Sequence, residues 1–203
     1  IEWLSPKKAL ARLSYPVDVE ILENFLRIVD DGVLRTFPLI ALRHAKAVPR
    51  EDWTGPDAMR PLTSRGARQA TSIAGPLQSF GVRRIVTSDA VRCVTTVAPL
   101  AAATGRKIHR TAKISQDAWE EGTAEVRDVI GRRVRARKPV VLCSHGPVLP
   151  DILNEIALAT GTLRGSYLGS ASALEVAAFS VVHLSATNPG SGIVAIETHE
   201  PKV

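Results

Sequence analysis

The sequence predicts an α/β fold: a mostly parallel sheet alternating with helices and finishing in an antiparallel pair of strands. Three observations carry this. Residues 37–42 and 139–144 are continuous apolar runs, as strands buried on both faces require, and 84–88 is a further short strand. Helical periodicity fills the intervals, with Ala67, Ala70, Ile73, Ala74 and Leu77 on one face, then Val91, Val94, Val97 and Leu100 on another. Each strand also stops abruptly in polar residues, which is how ligand sites begin at the carboxyl ends of strands in open sheets.

From the start of the chain, Ser5-Pro6 opens a helix with a cap and a first-turn proline, and a second helical pattern runs through Ile21, Leu22, Phe25 and Leu26. Two short helices without a sheet cannot form a core, so residues 1–30 must pack on something else. Trp3-Leu4-Ser5-Pro6, the amphipathic helix and Leu13-Ser14-Tyr15-Pro16 with Asp18 together resemble the closing strand and last helix of a MutT-type Nudix hydrolase. The catalytic Nudix box is not in this sequence. The resemblance therefore implies the tail of a domain whose active site, and the Mg it uses, lie elsewhere. The first residue is Ile1, followed by Glu2 and Trp3, which suggests a piece of a longer protein.

Asp30-Asp31-Gly32 marks a turn, giving a linker over 31–35 and a second domain over 36–203. Residues 37–42 form its first strand, ending in Arg43-His44. The Pro- and Gly-rich stretch 48–61 is a long loop over that strand end, of the kind that forms substrate lids. Trp53 within it either anchors the loop or stacks on a base. A helix capped by Thr63 or Ser64 runs towards Phe80, with Gly75-Pro76 expected to kink it or end it early. The strand at 84–88 leads into a helix closed by Gly105, with Arg92 in its first turn.

Residues 107–111 are a short extended piece, and 114–121 a polar connection containing Asp117, Trp119, Glu120 and Glu121. A basic helix spans 124–137, its cations favoured near a helix C-terminus. The strand at 139–144 ends in Ser144-His145-Gly146, and Pro147 opens the next helix. Strands at 173–180 and 193–198, joined by the turn Asn188-Pro189-Gly190-Ser191-Gly192, complete the sheet as the antiparallel pair.

At 203 residues, 45% hydrophobic and 23% charged, the chain has the composition of a globular protein, and no apolar run is long enough to span a bilayer. A cytoplasmic location without membrane contact is expected. Cys93 and Cys143 have no partner at metal or redox spacing and are expected to be buried free thiols. The net charge of +6 and a pI near 9.7 favour anionic ligands. A nucleic-acid partner is disfavoured, because no aromatic residues are interleaved with the arginines of 124–137.

Three strand ends now offer Arg43-His44, Ser88 with Arg92, and Ser144-His145-Gly146, and a parallel sheet brings such ends to one crevice. Leu42-Arg43-His44-Ala45, Arg60-Pro61-Leu62-Thr63 with Gly66 and Gln69-Ala70, Thr87-Ser88 with Arg92-Cys93 and Thr96, and Ser144-His145-Gly146 resemble, in order, the motifs of the histidine phosphatase superfamily, in particular its small SixA-like members. The resemblance covers residues 36–200. It implies the three-layer, phosphoglycerate-mutase-like α/β fold, with helices on both faces of the sheet.

It also implies roles. His44 is the nucleophile that forms a transient phosphohistidine, and must be neutral, with its other N–H held by an acceptor. Arg43, Arg92 and His145 clamp the phosphoryl oxygens, with Arg60, Ser88 and Trp53 as substrate-binding candidates; no metal or other cofactor is required at this site. Many relatives carry a Glu as proton donor where this chain has Gln116, so Asp117 is the nearest substitute, with Glu120 and Glu121 behind it. Joined, the two resemblances point to a Nudix and histidine phosphatase pair that removes terminal phosphate from nucleotides, such as oxidised guanine nucleotides. The alternatives are a SixA-type protein phosphohistidine phosphatase and a non-catalytic phosphate-binding module.

Overall fold

Strand β1 (Thr36–Arg43) is buried from Phe37 to Leu42 because it has a neighbour on each side and a layer of helices on each face. Its side chains alternate between two cores. Phe37, Leu39 and Ala41 face one, Ile40 and Leu42 the other, so both faces must be apolar and the run has no polar alternation. The computed structural model describes residues 1–202 and joins β1 to β2 (Arg84–Ser88), β3 (Ile108–Thr111), β4 (Val140–Ser144), β5 (Phe179–Ser185) and β6 (Ile193–His199) in one sheet, ordered β3-β2-β4-β1-β5-β6. The first four strands are parallel to one another. β5 is antiparallel to β1 and to β6.

Helices α3 (Ser64–Ser79) and α4 (Val91–Thr104) cover one face through Ala70, Ile73, Leu77, Cys93, Val97 and Leu100. The other face is covered by α6 (Val126–Ala136), α7 (Leu149–Thr160) and α8 (Ser166–Ser172) through such residues as Ile130, Ile152, Ile156 and Leu168. The three-layer α/β architecture expected from the sequence is therefore the one formed. Short helix α5 (Gln116–Glu120) follows the turn at 112–114, which packs against β2. Thr63 caps α3 by accepting from the Gly66 N–H at 3.0 Å, and Gly105 and Gly161 end α4 and α7 in the left-handed region, at φ of 64° and 70°.

Helices α1 (Pro6–Arg12) and α2 (Pro16–Asp30) contribute no buried residue. Val17, Ile21, Phe25 and Val29, four residues apart along α2, form an exposed apolar stripe. Ser5 stands at the start of α1, but its hydroxyl makes no capping bond; its carbonyl accepts from Ala9 instead.

Several elements differ from the sequence expectation. α3 continues three residues beyond Pro76, since the bond the proline forfeits falls in the last turn. The connection 114–121 contains α5, capped by the Ser115 hydroxyl at the Ala118 N–H (3.1 Å), a helix too short to show periodicity. α6 begins at Val126, and α7 at Leu149 rather than at Pro147, because residues 146–148 form a turn on the His145 carbonyl. α8 was not expected from its Ser- and Gly-rich sequence; burial of Leu168 and Ala171 stabilises it. The strand expected at 173–180 is β5 at Phe179–Ser185. Residues 174–178 form a turn instead, with Ala177 in the left-handed region at φ 65°. The short extended piece at 107–111 joins the sheet as edge strand β3.

Candidate active site

The register that pairs Arg43 with Ser144 on β4, and Thr87 on β2 with Cys143, sets three strand ends side by side. His44 and His145, which follow directly on β1 and β4, meet edge to face with ring centroids 5.3 Å apart. Arg92, from the first turn of α4, is fully buried. Arg43 completes the group, with its guanidinium lying along Gly146: a Cβ there would come within 3.4 Å of it. Arg43, His44, Arg92 and His145 thus come together from positions far apart in the chain.

The backbone around His44 is held from three sides. Its N–H donates to the Ser144 carbonyl (3.0 Å) and its carbonyl accepts from Ala177 (3.1 Å), which is what the turn at 174–178 does. The Ala45 N–H donates to Thr96 Oγ1 at 2.9 Å, the Lys46 N–H to Gln69 Oε1 at 3.0 Å, and the Lys46 carbonyl receives Thr63. Gly66 is required here: a Cβ on it would stand 2.0 Å from the Lys46 oxygen.

His44 Nδ1 lies 2.8 Å from the Ala45 carbonyl. A carbonyl oxygen only accepts, so Nδ1 carries the proton and Nε2 keeps its lone pair. Burial first, then the charges of Arg92, Arg43 and Arg60, pull the His44 pKa down to about 4 against the support of that carbonyl. Burial and the same arginines bring His145 to about 2. Both rings are neutral at pH 7. His145 Nε2 is 2.8 Å from Ser88 Oγ and 3.5 Å from Cys93 Sγ, so Ser88 orients the second histidine. Cys93 and Cys143 are free and buried.

Asp57, not foreseen in the sequence, organises the cations. Its carboxylate holds Arg92 Nη2 at 2.8 Å and Arg60 Nε at 3.0 Å, and its backbone carbonyl accepts from Arg92 Nη1 at 2.7 Å. Arg92 and Arg60 hold its own pKa below the ordinary carboxylate value despite the opposing cost of burial. Arg60 also donates to the Val48 carbonyl, and Arg43 Nη1 to the Leu174 carbonyl, both at 2.7 Å. The Nε atoms of Arg43 and Arg92 are buried without a partner. Such donors are costly to leave unpaired, and two beside neutral imidazoles suit an oxyanion.

Two candidates lie apart from the group. Trp53 folds into its own loop, its indole N–H donating to the Pro56 carbonyl at 3.0 Å and its ring lying against Gly55. Asp117 is exposed, because the Ser115 cap turns its neighbour Gln116 towards the crevice instead. Gln116 Oε1 is 3.4 Å from Arg92 Nη2, and its amide donates to Glu120 at 2.7 Å. No group of three or more His, Cys, Asp or Glu side chains among the described residues is arranged to hold a metal ion. A cleft of about 840 Å³ between α6 and α7, lined by Arg127, Arg135, Glu155 and Leu158 among others, shares no residue with the crevice.

Fold and crevice together define an α/β domain whose strand ends gather two neutral imidazoles and buried guanidiniums, a setting suited to an oxyanion. Residues 39–130 match the model of the histidine phosphatase superfamily (branch 1). It is 30% identical over 152 residues to an 8-oxo-(d)GTP phosphatase of Mycolicibacterium smegmatis, a match covering 74% of this chain and 46% of that one, so the chain spans about half the length of this relative. In fold it is similar to a protein of Nakamurella multipartitia assigned to the SixA phosphohistidine phosphatases (TM-score 0.61, 22% identity, 83% of this chain and 98% of the other). It is also similar to a mycobacterial glucosyl-3-phosphoglycerate phosphatase (TM-score 0.58, 16% identity, 81% and 97%).

Proposed function

We propose that this domain removes terminal phosphate from nucleotides through a phosphohistidine on His44. The observation that carries the proposal is the neutral His44 with Nδ1 fixed on the Ala45 carbonyl, which leaves the Nε2 lone pair beside the unpartnered Nε donors of Arg43 and Arg92. Nε2 attacks phosphorus, the bond to the leaving oxygen breaks, and the guanidiniums and His145 hold the charge on the equatorial oxygens. Water then attacks the phosphohistidine and releases inorganic phosphate, returning His44 to its starting state.

The leaving group decides the substrate class. Gln116 stands where a carboxylic acid would assist departure, and Asp57 is ion-paired and ionised at neutral pH. With neither able to give up a proton readily, the site suits groups that leave as stable anions. A nucleoside phosphate leaving from a phosphoanhydride is such a group, and the similar Mycolicibacterium protein is named for a nucleotide substrate. The phosphoramidate of a protein phosphohistidine also needs little acid help, and the likeness in fold to a SixA-assigned protein keeps it as the second reading.

Residues 1–30 are proposed to close a preceding Nudix domain, with 31–35 as linker and 36–203 as the phosphatase domain. Supporting this, α1 and α2 bury nothing and α2 exposes an apolar stripe. Any Mg requirement then belongs to the Nudix half.

The test is rapid-quench labelling with β-labelled nucleoside diphosphate, 8-oxo-guanine nucleotides included. An acid-labile phosphoenzyme is expected, and His44→Ala should lower turnover by at least about a thousandfold. Undiminished turnover in that variant would overturn the mechanism; turnover of a phosphorylated phosphotransfer domain with none of nucleotides would favour the second reading.

A further inference from the structure

A second cluster of cations lies outside the crevice, where β2 and edge strand β3 meet α6. A pocket of about 210 Å³ opens there, floored by Val86 and Val129 and walled by Arg84, Arg110, Arg132 and Arg133 with His109 and Lys113. Its single carboxylate, Asp128, is already engaged by Lys113 at 2.7 Å and by Arg132 at 2.9 Å. Among the described residues, Arg84, Arg110 and Arg133 have no carboxylate within ion-pair distance. Arg133 Nε is buried without a hydrogen-bond partner.

Solvated arginines on an edge strand serve to discourage strand pairing, but that purpose is met by charges spread into water. Here α6 brings its own arginines over those of β2 and β3, and the pocket is left with an excess of positive charge. Burial, then the charges of Arg84 and Arg132, make the Arg133 cation harder to maintain and lower its pKa. A bound dianion would relieve the repulsion and pair the orphan donor at once, and planar guanidiniums are suited to phosphate oxygens.

We propose that this pocket binds a phosphate or diphosphate group through Arg84, Arg110 and Arg133, as a site separate from the crevice. At about 210 Å³ it falls below the roughly 300–1,000 Å³ usual for a whole drug-sized ligand, so it takes the phosphate end of a molecule or the free ion. No Phe, Tyr or Trp lines it, so the large aromatic platform on which single-stranded nucleic acid stacks is missing.

The test uses the full chain carrying His44→Ala, so that the probe is not turned over, titrated with inorganic pyrophosphate and followed by amide NMR and calorimetry. Two groups of amides should shift, one around residues 44, 92 and 145, the other around 109–111 and 132–133. Adding Arg84→Glu and Arg110→Glu, both at exposed positions, should abolish the second group, weaken that binding event by at least about tenfold, and leave the first group in place. If the pair of substitutions lowers the melting temperature, Arg110→Gln alone replaces it.

Inorganic phosphate and a nucleoside diphosphate, titrated in parallel, tell a free ion from a nucleotide's phosphate end: tighter pocket binding of the nucleotide identifies the latter, equal or tighter binding of the free ion the former. The proposal fails if shifts are confined to the crevice, or if the pocket shifts survive the substitutions. It also fails if a short oligonucleotide binds there with steep salt dependence while pyrophosphate leaves those amides unmoved.

Discussion

His44 owes its chemistry to its surroundings. An imidazole in water titrates near neutrality, but burial and three arginines bring this one to about 4, so the lone pair on Nε2 is available across the physiological range. Two consequences follow for pH. The acid limb of kcat/KM should fall only as pH drops through about 4, and a limb near 6.5 in a pH-rate profile would show the ring to be unshifted. Stability should change over a wider window. Below about pH 6.5 the unfolded chain binds a proton that the folded ring refuses until about pH 4, so the free energy of unfolding decreases as pH falls between these values. His44 alone accounts for about 3 kcal/mol of that loss, and His145 carries it lower in pH. Urea unfolding at pH 7, 5.5 and 4.5 measures it, and a flat profile would contradict the buried neutral pair. Arg43, His44, Arg92 and His145 could be picked out because their sequence context resembles a known set of motifs. Asp57 could not, since an acidic residue in a polar loop announces nothing until Arg92 and Arg60 are seen on either side of it.

Among the elements, α3 shows most directly how scaffold and site are joined. Thr63 caps it, Gly66 lets its first turn approach the Lys46 carbonyl, and Gln69 holds the Lys46 N–H, so one helix start fixes the segment that follows His44. Gly66→Ala forces a methyl group onto a carbonyl 2.0 Å away. It should cost about 3 kcal/mol by denaturant titration and reduce kcat through displacement of residues 44–46, at the upper end of what overpacking usually costs. A neutral outcome would mean that α3 can slide without disturbing the site. This helix is legible in the sequence through its period and its cap. Neither α8 nor the turn at 174–178 is, since α8 depends on burying Leu168 in the core and the turn on Arg43 at the end of β1 and His44 directly after it.

In the molecule as a whole, everything buried lies beyond α2. Removal of residues 1–30 should therefore leave the α/β sheet and its crevice intact, with a melting temperature within a few degrees of the full chain and unchanged phosphatase kinetics. Collapse of the shortened protein would show that α1 and α2 support the domain rather than a neighbour. Among the described residues no helix is long and apolar enough to cross a membrane.

By itself the sequence determined the α/β class, four of the six strands to within a residue or two, and the four residues that meet at the strand ends, because apolar runs and helical periods are local signals and the motifs have a fixed order. Only the tertiary structure decided that β5 begins at Phe179, that Gln116 rather than Asp117 faces the crevice, that Trp53 closes on its own loop, and that Asp57 ties Arg92 to Arg60. β5, Gln116 and Asp57 share one physical reason: each is a choice between near neighbours of similar intrinsic preference, settled by hydrogen bonds and burial against residues far away along the chain, whereas Trp53 is held by Pro56 inside its own loop.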